Sequence, residues 1–96
     1  MSKGVRLVKN DVVREVSWDT GFSRYTAERI IDSFLMNIQK EVTNGNSVML
    51  KGFGTFERKR RAPRTGNNPH TNTPVPIPAR NVPHFKPAQK FKDSVS

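Results

Sequence analysis

Arg58-Lys59-Arg60-Arg61 is an unbroken cationic run, Arg64 follows after Ala62-Pro63, and Arg80 stands alone farther along. Side chains of this type, at this density, hold a polyanion through charge and directional donors. A lipid surface would call for a basic amphipathic helix, whereas this run is flanked by Pro, Gly and Asn, so nucleic acid is the better partner and no membrane is expected. Catalysis finds no comparable set of groups. Glu57 and Asp93 are the only acids from Gly52 to Ser96, too few to hold Mg²⁺ for a nuclease, and no nucleophile, base and orienting group can be assembled. His70 and His84 lie 14 residues apart with no cysteine or clustered carboxylates beside them. They read as ordinary histidines, and neither a metal nor a cofactor is expected.

The whole chain carries the same bias. Its 96 residues hold 17 Lys plus Arg against 8 Asp plus Glu, a net charge of +9, and 33% of them are hydrophobic. Met1 to Lys51 holds eight basic and six acidic residues, net +2, while Gly52 to Ser96 holds nine and two, net +7. A chain this short is one domain with little apolar surface to bury, so an oligomer sharing its core is expected rather than an enzyme with its own cleft. The absence of cysteine excludes disulfides, thiol nucleophiles and thiolate zinc sites. No apolar run is long enough to span a bilayer, and Met1-Ser2-Lys3-Gly4 leads into no signal-like stretch, so a cytoplasmic protein is expected.

The elements that must position these groups follow from period and punctuation. Asn10 to Asp19 reads as a short helix, with Asn10 as N-cap, Val12, Val13 and Val16 as a narrow stripe, and Gly21 as the stop. Ser23 caps a longer helix whose buried face is Ala27, Ile30, Ile31, Phe34, Leu35, Ile38 and Val42, ended by Asn44-Gly45. Trp18 and Tyr25 flank the turn between these helices as packing or surface residues. Val48 and Leu50 then alternate as in a half-buried strand, and Gly52-Phe53-Gly54-Thr55-Phe56 predicts a tight turn with Phe53 and Phe56 facing the core.

From Glu57 the strand becomes basic on both faces, Arg58 and Arg60 on one and Lys59 and Arg61 on the other, which predicts an arm that leaves the core. Its return strand carries Pro74, Pro76 and Pro78 at a spacing of two. All three missing N–H groups then fall on one edge, leaving the other free to pair and the outer edge blocked against aggregation. Arg64 to Asn72, rich in Gly, Asn and Pro, reads as the tip of a hairpin spanning about residues 57–80. Val82, Pro83 and Phe85 return the chain to the core. Pro87 suits the first turn of a last short helix with Ala88, Phe91 and Val95 as its stripe.

Gly52-Phe53-Gly54-Thr55-Phe56, then Arg61, Arg64-Thr65-Gly66, Asn68-Pro69, Thr71 and Asn81-Val82-Pro83-His84-Phe85 closely resemble the HU and integration host factor family of bacterial DNA-bending proteins. The resemblance runs from about Lys9 to Val95, which makes residues 9–96 a single DNA-binding domain and residues 1–8, with Lys3 and Arg6, a basic N-terminal extension. It implies an α+β fold: a helical hairpin base, a three-stranded antiparallel sheet with a long β-ribbon arm, and a short C-terminal helix. It also implies an intertwined, obligate dimer, either a homodimer or a heterodimer with a paralogous subunit, sharing Phe34, Phe53, Phe56 and Phe85 as its core. Such a protein wraps, kinks and compacts double-stranded DNA through the minor groove with weak sequence specificity, in the cytoplasm and on the nucleoid.

The resemblance assigns Arg61 and Arg64 to the minor groove. Arg58, Lys59, Arg60 and Arg80 would add backbone contacts along the ribbon, and Lys86 and Lys90 on the flank. On composition Pro69 is a turn proline; at the tip of a basic ribbon the motif makes it an intercalating wedge, with Asn67 and Asn68 offering hydrogen bonds to base edges or sugars. Asn67 departs from the family's usual Arg and Asn72 from its usual Gly, the latter at modest cost because Asn tolerates the left-handed conformation. Two alternatives are a site-specific bender of the integration host factor type and, in a different class, a basic RNA-binding structural protein.

Overall fold

Asp11 decides where the first helix begins. In the computed structural model, which describes residues 4–96, the Asp11 carboxylate accepts the Val8 N–H at 2.9 Å. Helix α1 runs Lys9–Thr20 with Val8 in the extended cap position. Asn10, expected as the cap, is instead inside the helix: an acid at the third helical position supplies the capping acceptor from within and sits at the positive end of the macrodipole. Gly21 ends α1 as expected, with φ 80° and its N–H bonded to the Ser17 carbonyl at 3.0 Å. Two residues on, Ser23 Oγ accepts the Thr26 N–H at 3.1 Å and opens α2, Arg24–Thr43. At its far end Gly45, with φ 90°, lets the Gly45 and Asn46 N–H groups return to the Val42 and Glu41 carbonyls at 3.0 and 2.9 Å. The last carbonyls are thereby satisfied.

The chain divides into two units, Met1–Asn37 and Ile38–Ser96. In the first, α1 and the start of α2 form the helical hairpin, with Val13 and Ala27 buried. Val16 is half-buried and Val12 exposed, so the expected valine stripe narrows to Val13 and its neighbour. Lys9 reaches Asp32 at 3.1 Å and Glu28 at 3.5 Å. The hydrogen bond to Asp32 raises the Lys9 ammonium pKa above its ordinary value. Of the basic N-terminal extension, Lys3 lies outside the described residues, while Arg6 is exposed.

In the second unit Ile38 and Val42 are buried. Strands β1 (Val48–Leu50), β2 (Gly54–Arg61) and, later in the chain, β5 (Arg80–Pro87) form an antiparallel sheet in the order β1-β2-β5. The β1–β2 turn is tight, with Gly52 at φ 79° and the Phe53 N–H bonded to the Leu50 carbonyl at 2.9 Å. Register places Phe56 opposite Phe85, and their rings lie 4.7 Å apart between centroids. Phe53 adds contacts at 5.5 Å to Phe85 and 5.0 Å to Phe91. Helix α3, Gln89–Val95, brings Phe91 into this cluster. Pro87, expected in the first turn of that helix, instead closes β5 opposite Gly54, and the Ala88 N–H bonds the Phe53 carbonyl at 2.9 Å before the helix starts. Val95, expected on the apolar stripe, is exposed.

Gly54 makes the aromatic cluster possible. A Cβ there would lie 2.5 Å from Phe85 Cε1 and 2.8 Å from the Lys86 carbonyl oxygen, one a packed ring and the other backbone. At Gly66 the nearest obstacle to a Cβ is the end of the Ile77 side chain at 2.7 Å, which can rotate aside. Gly54→Ala is therefore expected to destabilise the protein by about 1–3 kcal/mol, the usual range for overpacking. Gly66→Ala is expected to cost clearly less, and equal shifts of the two urea midpoints would contradict this account.

Candidate nucleic-acid interface

The basic ribbon is built in two sections. Its lower section is β2 paired with β5, in register from Gly54 opposite Pro87 to Arg61 opposite Arg80. Alternation puts Phe56, Arg58 and Arg60 on one face, with Phe85, Pro83 and Asn81 as their partners. The other face carries Glu57, Lys59 and Arg61 against His84, Val82 and Arg80. Arg58, Lys59, Arg60, Arg61 and Arg80 are all exposed.

The upper section is β3 (Arg64–Asn67) paired with β4 (Pro74–Ile77). This corrects the expectation that Arg64 to Asn72 is all tip: Arg64–Asn67 is strand, and the tip is confined to residues 68–73. The prolines explain it. Register sets Pro76 opposite Thr65 and Pro74 opposite Asn67, alternating with Val75 opposite Gly66 and Ile77 opposite Arg64. Val75 and Ile77 retain their N–H groups for the ladder while both prolines face the other way. Pro78 falls with Ala79 between β4 and β5, opposite the Ala62-Pro63 break between β2 and β3.

At this joint Arg61, Arg64 and Arg80 line one cleft, together with Ala62, Ile77 and Pro78. Arg61 and Arg80 are direct cross-strand partners, an arrangement that like charges oppose. Among the described residues the ion pairs involve Lys9 and Arg14, and none reaches the ribbon. Three guanidinium groups thus surround an opening that contains no acid, an electrostatic cost that a bound anion would remove.

The tip is held by its asparagines. Asn68 Oδ1 accepts the His70 N–H at 2.9 Å and the Asn68 carbonyl accepts the Asn72 N–H at 2.7 Å. Asn72 has φ 56°, the left-handed conformation expected of it. Asn67 Nδ2 donates to Asn72 Oδ1 at 2.9 Å across the base of the tip, so this side chain closes the turn. Asn68 is half-buried, while Pro69 and His70 stand exposed.

Two assignments change in detail. The Arg58 guanidinium donates to the Thr43 carbonyl at 3.3 Å, where its charge meets the negative end of α2. It joins a helix end to the ribbon as well as adding to the ribbon's charge. Lys86 is exposed on β5, and Lys90 on α3 lays its stem near Gly52. Lys86 shares a shallow groove with Lys51 and Lys92, neither of which the sequence singled out. Only the fold brings Lys92 beside Lys51. Among the described residues no group of three or more His, Asp or Glu side chains is placed to hold a metal ion, and no helix is long and apolar enough to cross a membrane.

Residues 7–96 match the family model of the bacterial DNA-binding proteins, and the chain belongs to that family. It is 38% identical to the DNA-binding protein HU of Thermus thermophilus over 89 residues, 93% of this chain and 92% of that one. It is 41% identical to the DNA-binding protein HRm of Rhizobium meliloti, with 92% and 98% of the two chains covered. Among solved structures, the Anabaena HU–DNA cocrystal structure superposes with a TM-score of 0.91 at 33% identity, covering 94% of this chain and 98% of that one. HU from Thermotoga maritima, at 23% identity and a TM-score of 0.67, shares the fold.

Proposed function

We propose that this protein is an architectural DNA-binding protein of the HU type, which wraps and kinks duplex DNA through the minor groove with weak sequence preference. The observation that carries this reading is the ribbon itself: Arg61, Arg64 and Arg80 around an acid-free cleft, continued to a hydrogen-bonded tip with Pro69 exposed. The arginines would neutralise phosphates flanking the minor groove, and the rigid Pro69 ring would enter a base step and hold it open, at a cost of a few kcal/mol per step. Arg58, Lys59 and Arg60 extend the cationic track along β2, and Lys86 and Lys90 continue it on the flank. Asn67 and Asn68 shape the tip and offer donors to sugars and base edges. The protein acts by binding, residues 9–96 work as one DNA-binding domain, and its place is the cytoplasmic nucleoid.

Dimerisation is part of the proposal. Among the described residues no large side chain is fully buried, and Ile30, Phe34 and Leu35 on α2 keep 53%, 51% and 50% of their surface open. A second copy intertwined with the first would cover them, with Phe34, Phe53, Phe56 and Phe85 in the shared core. Thermal unfolding is therefore expected to shift upward with protein concentration. Phe34→Ala should cost about 3–5 kcal/mol of dimer stability. A folded monomer by light scattering at micromolar concentration would overturn the dimer.

The functional test is a gel-shift comparison of linear, nicked, mismatched and four-way DNA, with random genomic DNA and RNA of equal length as competitors. Tighter binding to the nicked and four-way forms is expected. Preference for one linear sequence would instead indicate a site-specific bender, and preference for RNA would refute the reading.

A further inference from the structure

Between Arg64 and Arg80 lie 15 residues without a single Lys, Arg, Asp or Glu, and His70 is the only ionisable side chain among them. It is exposed next to Pro69, and its backbone is fixed by the bond from its N–H to Asn68 Oδ1 at 2.9 Å. The groups around it are uncharged. Asn67 and Asn72 are bonded to each other, and the Thr71 and Thr73 hydroxyls lie 2.6 Å apart. Across β3, β4 and the tip, Arg64 is the only other residue that carries charge.

We infer that His70 is a DNA-contacting residue whose protonated form supplies the positive charge of the arm tip, so that the protein binds duplex DNA more tightly as the pH falls. The inference rests on the DNA-bending reading. With Pro69 in the minor groove, the adjacent His70 is brought into the negative potential of the duplex. An imidazolium there gains an attraction that a neutral imidazole lacks, and imidazole changes charge between about pH 5 and 8. Binding must then be linked to proton uptake, and the linkage has a sign: affinity rises below neutrality and falls above it. The full-charge arginines of the ribbon cannot produce this, because they stay protonated throughout.

The experiment is fluorescence anisotropy of the intact protein on a short labelled duplex from about pH 5.5 to 8.5 at fixed ionic strength, with His70→Gln, His70→Lys and His84→Gln alongside. One additional neutralised phosphate changes affinity about threefold over a fourfold range of salt, so with two arms the wild type's gain in affinity from the alkaline to the acidic limit should be about tenfold larger at the low end of that salt range than at the high end. The salt slope should also steepen by about 0.9 per arm at the acidic limit. His70→Gln is expected to bind with little pH dependence, His70→Lys tightly at every pH, and His84→Gln like the wild type. If His70→Gln keeps the wild-type pH dependence, or if His70→Lys binds no tighter than His70→Gln at pH 8.5, the inference is overturned. A wild type that fails to bind duplex DNA at any pH refutes instead the DNA-bending reading on which it rests.

Discussion

Raising the salt concentration from about 50 to 200 mM is expected to weaken duplex binding by about a thousandfold or more. The ribbon offers Arg58, Lys59, Arg60, Arg61, Arg64 and Arg80, and Lys86 and Lys90 add to the flank, all exposed. With two such surfaces in the proposed dimer, neutralising roughly six to ten phosphates is within reach, and the logarithm of affinity should fall against the logarithm of salt with a slope of about −5 to −9. Not every cation should weigh equally. Arg61 and Arg64 share the acid-free cleft with Arg80, so replacing either by Ala should flatten the slope by about 0.9 for each phosphate that an arm no longer neutralises. Arg58 is committed in part to the Thr43 carbonyl at 3.3 Å, so Arg58→Ala should change the slope less and lower thermal stability more. A flat salt response in the intact protein would remove the electrostatic account altogether.

The arm was legible in the sequence because its constraints are local. Alternate prolines specify which edge of a strand can pair, and Pro74 and Pro76 do stand at alternate register positions opposite Asn67 and Thr65. The left-handed Asn72 was likewise expected from residue type, and φ 56° agrees. What composition obscured was β3. Gly66-Asn67-Asn68 has the residues of a turn, yet the ladder continues to Asn67 because the return strand keeps its Val75 and Ile77 donors in step.

Other features depend on contacts that no local pattern encodes. The start of α1 follows from the bond between Asp11 and Val8, where a conventional capping residue two positions on was the stronger signal. The contact of Arg58 with the end of α2 joins residues 15 apart across two kinds of element. The grouping of Lys51, Lys86 and Lys92 in one groove needs β1, β2, β5 and α3 together. Periodicity also marks an apolar face without saying which chain covers it: Ala27 and Phe34 belong to the same predicted stripe, yet Ala27 is 1% exposed and Phe34 51%. That difference, invisible in the spacing, is the strongest physical reason to expect a partner.

Pro69→Ala is expected to separate bending from binding. The substitution leaves every basic residue in place, so the phosphate attraction that dominates affinity should largely persist. The tip should persist as well, because its hydrogen bonds run through Asn67, Asn68, His70, Asn72 and Thr73, and Pro69 contributes no N–H to any of them. What disappears is the rigid ring that would fill an opened base step, and a methyl group cannot replace that stacking surface. The bend angle should therefore collapse. Affinity for linear DNA has two opposing terms, since the variant gives up the wedge's stacking but no longer has to unstack the duplex, and its net change should be small. On nicked or pre-kinked DNA the distortion is already present, so the missing stacking is uncompensated and affinity should fall further. Energy transfer between dyes at the two ends of a short duplex, read at saturating protein, reports the bend directly. If the variant brings the ends as close together as the wild type does, Pro69 is a turn residue only, and the kink must be assigned to other groups of the arm.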